Sequence, residues 1–301
     1  MGLCLVLNHM RSKMTVFRLG QAFGLIPSNT SHYLFLGQRC LVRVLADLPD
    51  AEVRWPTPRQ MKRYSKMVAR RYPLLQGVWG AADGLLLPTF EPVCVVAAAE
   101  PHSGPPCLAA HTPEVCVQAD VEEQRALYTG WKSGTYISNL FAFAPDGTIV
   151  YSVTNYPGSQ HDSALAADSG FYDTLAKMPP GRAIATDTAF RRSGDMIGKI
   201  VRGSKNLEAR QGSVRFETQV VSFRQSAEWG MRGFQAMNPR LLNLMPADAV
   251  ERALLLDIAV GMYQLRARHV GRVQISSVYG TIRKVKENGL IRYRAEKEFE
   301  W

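Results

Sequence analysis

Apolar residues recur at helical spacing through Val16, Leu19, Ala22 and Phe23, stop at Gly24-Leu25-Ile26-Pro27, and resume as Tyr33, Leu34, Leu36, Leu41 and Val44. The pattern predicts two short helices around a turn, with Ser28 as N-cap of the second. Leu48-Pro49-Asp50 and Trp55-Pro56-Thr57-Pro58 then punctuate the chain, and a basic helix is expected over Arg59–Arg71. Leu74–Ala82 is a mostly apolar run, a strand that places the carboxylate of Asp83-Gly84 near its end. The low-charge, Pro- and His-rich stretch 94–117 has no period and reads as a loop or an insertion. Order returns where Ile137–Ala144 and Thr148–Thr154 flank Pro145-Asp146-Gly147, a hairpin signal. A helix should open at Pro157–Ser163 and run to about Ala176. The short strand Ala183–Thr186 then delivers Asp187, Ser222–Met237 forms a helix carrying Glu228, and the apolar helix Ala247–Leu265 covers the sheet. No internal repeat is visible.

Length and composition narrow the classes. The 301 residues suffice for one large domain or two ordinary ones, and 46% apolar against 21% charged residues argues against wholesale disorder. A membrane span needs about 20 consecutive apolar residues, and the best candidate, Ala253–Leu265, is shorter and carries Asp257. Met1–Met10 lacks the basic start and cleavage site of a secretory leader, and the five cysteines show no secreted pairing pattern. The expectation is a soluble, basic, intracellular protein with no membrane partner.

The formal net charge of +10 is unevenly spread. Residues 1–71 carry +9, 72–187 carry −8, 188–224 carry +5, 225–265 carry −1 and 266–301 carry +5. An acidic middle between basic arms suits a metal-dependent enzyme acting on a polyanion, because carboxylates gather cations while Lys and Arg neutralise phosphates. An uneven surface with no such purpose would give the same counts.

Helix, turn with Gly, helix, in basic surroundings, is the helix-turn-helix pattern. Its DNA-reading residues would be Ser28, Asn29, Ser31 and His32. An ordinary helical hairpin packed on the next domain has the same spacing. In order, the later elements are a strand with Asp83, a hairpin, a helix opened by Asp162, a strand ending at Asp187 and a helix with Glu228. That is an α/β order, a ribonuclease H-like mixed sheet flanked by helices, behind a small all-α amino-terminal region. Clustered carboxylates stay ionised only if cations join them, and two Mg²⁺ or Mn²⁺ about 4 Å apart could clamp the oxygens of a phosphodiester. Arg224 and Arg232 stand at i−4 and i+4 of Glu228, either as phosphate contacts or as ordinary intrahelical ion pairs. Arg191, Arg192, Lys199, Arg202 and Lys205 form the best phosphate-contacting group, or else a solvated basic loop. His102, Cys107, His111 and Cys116 match no zinc-finger spacing, and neither a phosphate-binding GxxxxGK[ST] loop nor a GxSxG elbow is present.

Tyr128-Thr129-Gly130-Trp131-Lys132, Pro145-Asp146-Gly147, Pro157-Gly158-Ser159-Gln160-His161-Asp162-Ser163, Asp187-Thr188-Ala189-Phe190 and Ala227-Glu228-Trp229-Gly230-Met231-Arg232 together resemble the Harbinger-type (PIF) DDE transposases and their domesticated nuclease relatives. The resemblance covers about Thr15 to Tyr279 and implies catalytic Asp83, Asp187 and Glu228. It implies a metal set of Asp83, Asp162, Asp187 and Glu228 holding two divalent cations, Mg²⁺ or Mn²⁺. Asp162 could instead serve as a helix N-cap. Also implied are a nuclear endonuclease that cuts transposon-end DNA and joins 3′ hydroxyls to a target, a Myb-like protein partner, and room for a homodimer. A domesticated copy that binds DNA or a partner without cutting is the alternative. The expected organisation is a helix-turn-helix-like region over 1–47, a basic linker helix over 48–71, the nuclease domain over 72–265 and a basic extension over 266–301. The 94–117 stretch interrupts a place where the family runs on directly.

Overall fold

The computed structural model describes residues 1–90, 93–96, 116–119, 121–203, 214–271, 273–279, 282–287 and 290–295. It is a mixed α/β fold in which helices flank both faces of a mixed sheet. Three helices open the chain: α1 (Gly2–Arg11), α2 (Val16–Phe23) and α3 (Pro27–Asp47). Gly24 ends α2 in the left-handed region at φ 66° and returns its N–H to Gln21 and Gly20 carbonyls, so the turn falls where the sequence places it. The second helix is not short, however: α3 has 21 residues, and Ile26 rather than Ser28 is its N-cap. Pro27 takes the first helical position, where its missing N–H costs nothing. Val6, Met10, Leu34 and Leu45 join the same buried cluster as Leu255, Leu256 and Ile258, so the amino-terminal helices share the main core.

Helix α4 (Pro58–Arg71) starts at a capping box between Thr57 and Gln60 and buries Met61, Tyr64, Ser65 and Val68 under the sheet. Strand β1 (Val78–Pro88) runs on through Asp83, because Leu85–Leu87 continue the apolar run and pair with the next long strand. A two-stranded ribbon, β2 (Val93–Val96) with β3 (Cys116–Ala119), closes the ends of the 94–117 stretch, whose interior, with His102, Cys107 and His111, lies outside the described residues. After helix α5 (Val121–Leu127) come β4 (Tyr128–Thr129), β5 (Gly134–Phe143) and β6 (Ile149–Pro157). The turn between β5 and β6 holds Asp146, whose carboxylate accepts from Tyr64 Oη at 2.6 Å and from Thr148 N at 3.1 Å. The Pro145-Asp146-Gly147 motif is thus an anchor for α4.

The helix expected from Pro157 to Ala176 is two: α6 (Asp162–Asp168) and α7 (Phe171–Ala176), broken at Gly170 with φ 74°. Then follow β7 (Ala183–Ala185), β8 (Ile200–Val201), α8 (Val214–Met237) and α9 (Ala249–Leu265). A short helix, α10 (Gln274–Tyr279), packs on α8, and β9 (Ile282–Glu287) pairs with β10 (Leu290–Ala295).

The main sheet runs β5-β1-β7-β8, with both β4 and β6 on the outer edge of β5. β1 is antiparallel to β5 and parallel to β7. Side chains of α8 at Val220, Phe223, Ala227, Met231 and Phe234 form a helical stripe on one face, with Ala81, Phe141, Phe143 and Ala185 opposite them. The other face holds Trp79, Ala82, Leu140, Ile184, Leu165, Phe171 and Phe190 in a separate core under α6 and α7. A register shift between Val78 and Gly80 puts Trp79 and Ala81 in opposite cores, and beyond it Ala81 and Ala82 face opposite cores as strand alternation requires. No described helix is long and apolar enough to cross a membrane.

Candidate active site

The pairing of β1 with β7 sets the site. Ala81 stands opposite Ala185 in parallel register where β7 ends, and Asp83, still within β1, lies near enough to Asp187, two residues past β7, to feel its charge. Helix α8 crosses one face of the sheet and brings Arg224 and Glu228 over it. Arg224 Nη1 lies 3.0 Å from Asp187 Oδ1, and its Nη2 lies 3.8 Å from Glu228 Oε1. The sequence offered Arg224 as a phosphate contact or an intrahelical pair; it bridges the strand-end aspartate to the helix glutamate. Arg232, one turn on, is exposed.

Asp162 approaches from the opposite face. A Cβ on Gly84 would stand 2.3 Å from Asp162 Oδ1, so the carboxylate rests where a side chain at position 84 would be. That position points away from the face of Asp83, since neighbouring strand residues alternate. Asp162 is also not an N-cap: His161 holds the cap position without a side-chain bond, and Asp162 is the first helical residue.

Electrostatics tie the aspartates together. Burial pushes the Asp83 carboxyl up to about 6, and the charges of Asp162 and Asp187 push the same way. The hydrogen bond from Gly84 N to Asp83 Oδ1 at 3.0 Å and the nearby Arg224 only partly offset this. Asp162 is raised as well, by burial first and then by Asp187, with His161 opposing. Among the described residues no group of three or more His, Cys, Asp or Glu is gathered closely enough to hold a metal ion. Like charges separate, and here Arg224 supplies the neutralising cation. The donor set still fits a hard divalent cation: all oxygen, mutually repelling, and with a glycine cradle for one carboxylate.

Because the folded chain holds the Asp83 proton more tightly than the unfolded chain, this carboxyl favours folding below about pH 4, and that contribution is lost as pH rises through 6. In chelator, Asp83→Asn should therefore gain about 3 kcal/mol of stability at pH 7.5, and under about 1 kcal/mol at pH 4. Denaturation at both pH values checks this, and an equal gain at each would refute the electrostatic origin.

The basic loop divides. Arg202 Nη1 donates to Thr188 O at 2.9 Å and also to Phe190 O, so it clamps the turn after Asp187 rather than offering itself to phosphate. Lys199 Nζ is likewise taken, by the carbonyls of Met178 and, at 3.4 Å, Pro179. Both carbonyls lie just past the end of α7, and that of Pro179 also accepts from Arg182 N at 3.3 Å. Arg191 stacks 5.0 Å from the Tyr172 ring centroid, Arg192 is exposed, and Lys205 lies outside the described residues. Ser28, Asn29, Ser31 and His32 are exposed at the start of α3, away from the buried stripe Thr30, Leu34 and Gln38.

Sequence reasoning missed a cleft of about 610 Å³ that opens beside Asp162 and Gly84. The Tyr128-Thr129-Gly130-Trp131-Lys132 turn and Gly158 also line it. A Cβ on Gly158 would meet Tyr136 O at 2.1 Å, and Thr129 Oγ1 donates to Gly158 O at 2.7 Å. The exposed tryptophan in a turn was the available signal.

Residues 112–243 match the family model described as DDE superfamily endonuclease, a range that contains Asp162, Asp187, Glu228 and Trp131 but not Asp83. The match supports that superfamily. No curated protein matches significantly. Among solved structures, the Mos1 Strand Transfer Complex aligns at 11% identity over 89% of this chain and 76% of that chain, with a TM-score of 0.24. A pre-cleavage Mos1 transpososome aligns at 11% identity over 93% and 79%, with a TM-score of 0.21. The Mos1 mariner paired end complex with Mn aligns at 10% identity over 80% and 76%, with a TM-score of 0.19. At such scores no geometry is carried across.

Proposed function

We propose that this chain is a divalent-metal-dependent DNA endonuclease of the DDE type, with a ribonuclease H-like sheet. The observation that carries the reading is the parallel β1–β7 pairing that brings Asp83 and Asp187 near each other, with Arg224 bridging Asp187 to Glu228. The family match over residues 112–243 supports it independently. Asp83, Asp187 and Glu228 would hold Mg²⁺ or Mn²⁺, with Asp162 reaching the site past Gly84. The bound cations would stabilise charge on the cleaved phosphodiester and lower the pKa of water. The chain's own residues do the rest. Arg224 holds Asp187 and Glu228 in place, and its charge lies where a phosphate oxygen would be received. Arg202 fixes the turn that carries Asp187. The exposed start of α3 and Arg191 and Arg192 are the DNA contacts we assign outside the site.

The five ordered motifs support the Harbinger subtype, and with it a nuclear location, a Myb-like partner, possible pairing as a homodimer and joining of cut ends to a target. A second reading, binding DNA without cutting, is favoured by one observation: no three described ligands converge. Calorimetric titration of Mn²⁺ into the chain separates the two. Saturable binding that is lost in Asp83→Ala supports the nuclease. A folded wild-type chain that binds no Mn²⁺, with or without duplex DNA, overturns it in favour of the non-cutting reading.

A further inference from the structure

The cleft beside Asp162 has a wall whose chemistry the carboxylates do not use. Trp131 is 75% exposed, high for the largest apolar side chain, and Tyr128 beside it is 49% exposed. Lys132 Nζ sits 4.9 Å from the Trp131 ring centroid and 5.4 Å from that of Tyr136, so the ammonium is already held among aromatic rings. The backbone beneath is fixed. Thr129 is tied to Gly158, Ser133 adopts the left-handed region at φ 49° and its N–H returns to Gly130 O at 3.2 Å. A flat ring is thus presented to solvent on a hydrogen-bonded turn, with a cation over one face, the other face left for a ligand, and the site carboxylate Asp162 lining the same cleft. The volume of about 610 Å³ is in the range that receives small organic groups.

We infer that this cleft takes an unpaired nucleobase of the DNA strand being cut, stacked on Trp131, with Lys132 on an adjoining phosphate. The inference rests on the nuclease reading for its choice of DNA, and names how that substrate is gripped. Every base has a π-face, so a tryptophan platform binds single strands with little sequence preference. A duplex keeps its bases stacked inside and gives the ring nothing to meet. A docked protein segment would bury the same ring but would have no use for a cation beside the carboxylate site.

Anisotropy of a labelled oligothymidylate, in chelator, with its oligoadenylate duplex alongside, tests this without requiring cleavage. Wild type should prefer the single strand; Trp131→Ala should weaken that binding about tenfold while leaving duplex binding nearly unchanged, and Trp131→Phe should retain most of it. Lys132→Ala should reduce the salt dependence by about one phosphate contact. Equal single-strand affinity in wild type and Trp131→Ala overturns the inference, as does a loss shared equally by the duplex. Metal-dependent cleavage, assayed separately, keeps the two readings apart. Trp131-dependent single-strand binding in a chain that takes up no metal leaves the stacking site standing and removes the nuclease. Cleavage that proceeds with Trp131→Ala binding unchanged does the reverse.

Discussion

Asp187→Ala should reduce Mg²⁺-dependent cleavage of DNA by about 10³-fold or more, while the circular dichroism and melting of the chain stay close to wild type. The expectation joins two facts about one residue. Asp187 follows the end of β7, near enough for its charge to act on Asp83, so its loss removes charge from the centre of the site. Its side chain is 41% exposed, so no cavity opens when it goes. Its loss removes one local bond, from Thr188 N to Asp187 Oδ1 at 2.7 Å, but the turn keeps the fully buried Phe190 and the donations of Arg202 to the Thr188 and Phe190 carbonyls. Arg224 loses its 3.0 Å partner but keeps Glu228, and no buried charge is stranded. Asp187→Asn keeps the shape and removes the charge; it should fail equally if charge is what matters. Gel-based cleavage of a duplex, with the melting curve measured on the same preparation, decides the matter. Wild-type cleavage by either variant would sink the assignment of Asp187.

Much of the frame behind that expectation is legible in the chain itself. Short apolar runs ending at Asp83 and Asp187 mark strands that bring carboxylates to one place, and the Pro145-Asp146-Gly147 signal fixes the hairpin between them. What a one-dimensional pattern does not carry is which face each carboxylate uses. Asp162 sits beyond Gly84 because β1 continues past Asp83, and that continuation depended on pairing with β5 out to Tyr136. Basic residues mislead for a related reason. Arg202 and Lys199 have the composition of a phosphate-binding loop, yet carbonyls near them in space, after α7 and after β7, absorb their charge. Sequence shows the donors; only the fold shows which acceptors arrive first. Arg224 is the mixed case, since its spacing from Glu228 is visible and its bond to Asp187 is not.

Arg252 went unremarked in the sequence, and its removal should be strongly damaging to stability. Arg252→Ala should cost about 3 kcal/mol, or a fall of roughly 6–12 °C in melting temperature for a chain of this size. The side chain is 3% exposed near the start of α9, and burial pulls its pKa down. It persists there because every direction of its guanidinium finds an acceptor. Nε donates to Asn155 Oδ1 at 2.8 Å, Nη1 donates to Pro246 O at 3.1 Å and to Ala247 O, and Nη2 lies 3.8 Å from Glu123 Oε1. Asn155 in turn occupies the left-handed region at φ 64° where β6 slips register against β5, a conformation asparagine tolerates better than most residues. Its N–H donates to Asn139 Oδ1 at 3.0 Å, its Nδ2 to Ala249 O at 3.0 Å, and Asn139 Nδ2 to Leu85 O at 3.0 Å. One polar chain therefore links α9, the bulge in β6, the centre of β5 and the end of β1 just beyond Asp83. Removing the guanidinium takes the donor from the part-buried Asn155 Oδ1 and Ala247 O together, while Pro246 O keeps Thr89 Oγ1, the costly half of the hydrogen-bond asymmetry at two acceptors. Arg252→Lys should recover little, since an ammonium cannot reach acceptors arranged for a planar fork. Thermal denaturation of both variants measures this, and a melting temperature within 2 °C of wild type for Arg252→Ala would show that the network contributes no net stability. Because the chain ends beside Leu85, the metal affinity of Arg252→Ala, measured well below its melting point, should also fall, which ties the stability of the sheet edge to the placement of Asp83.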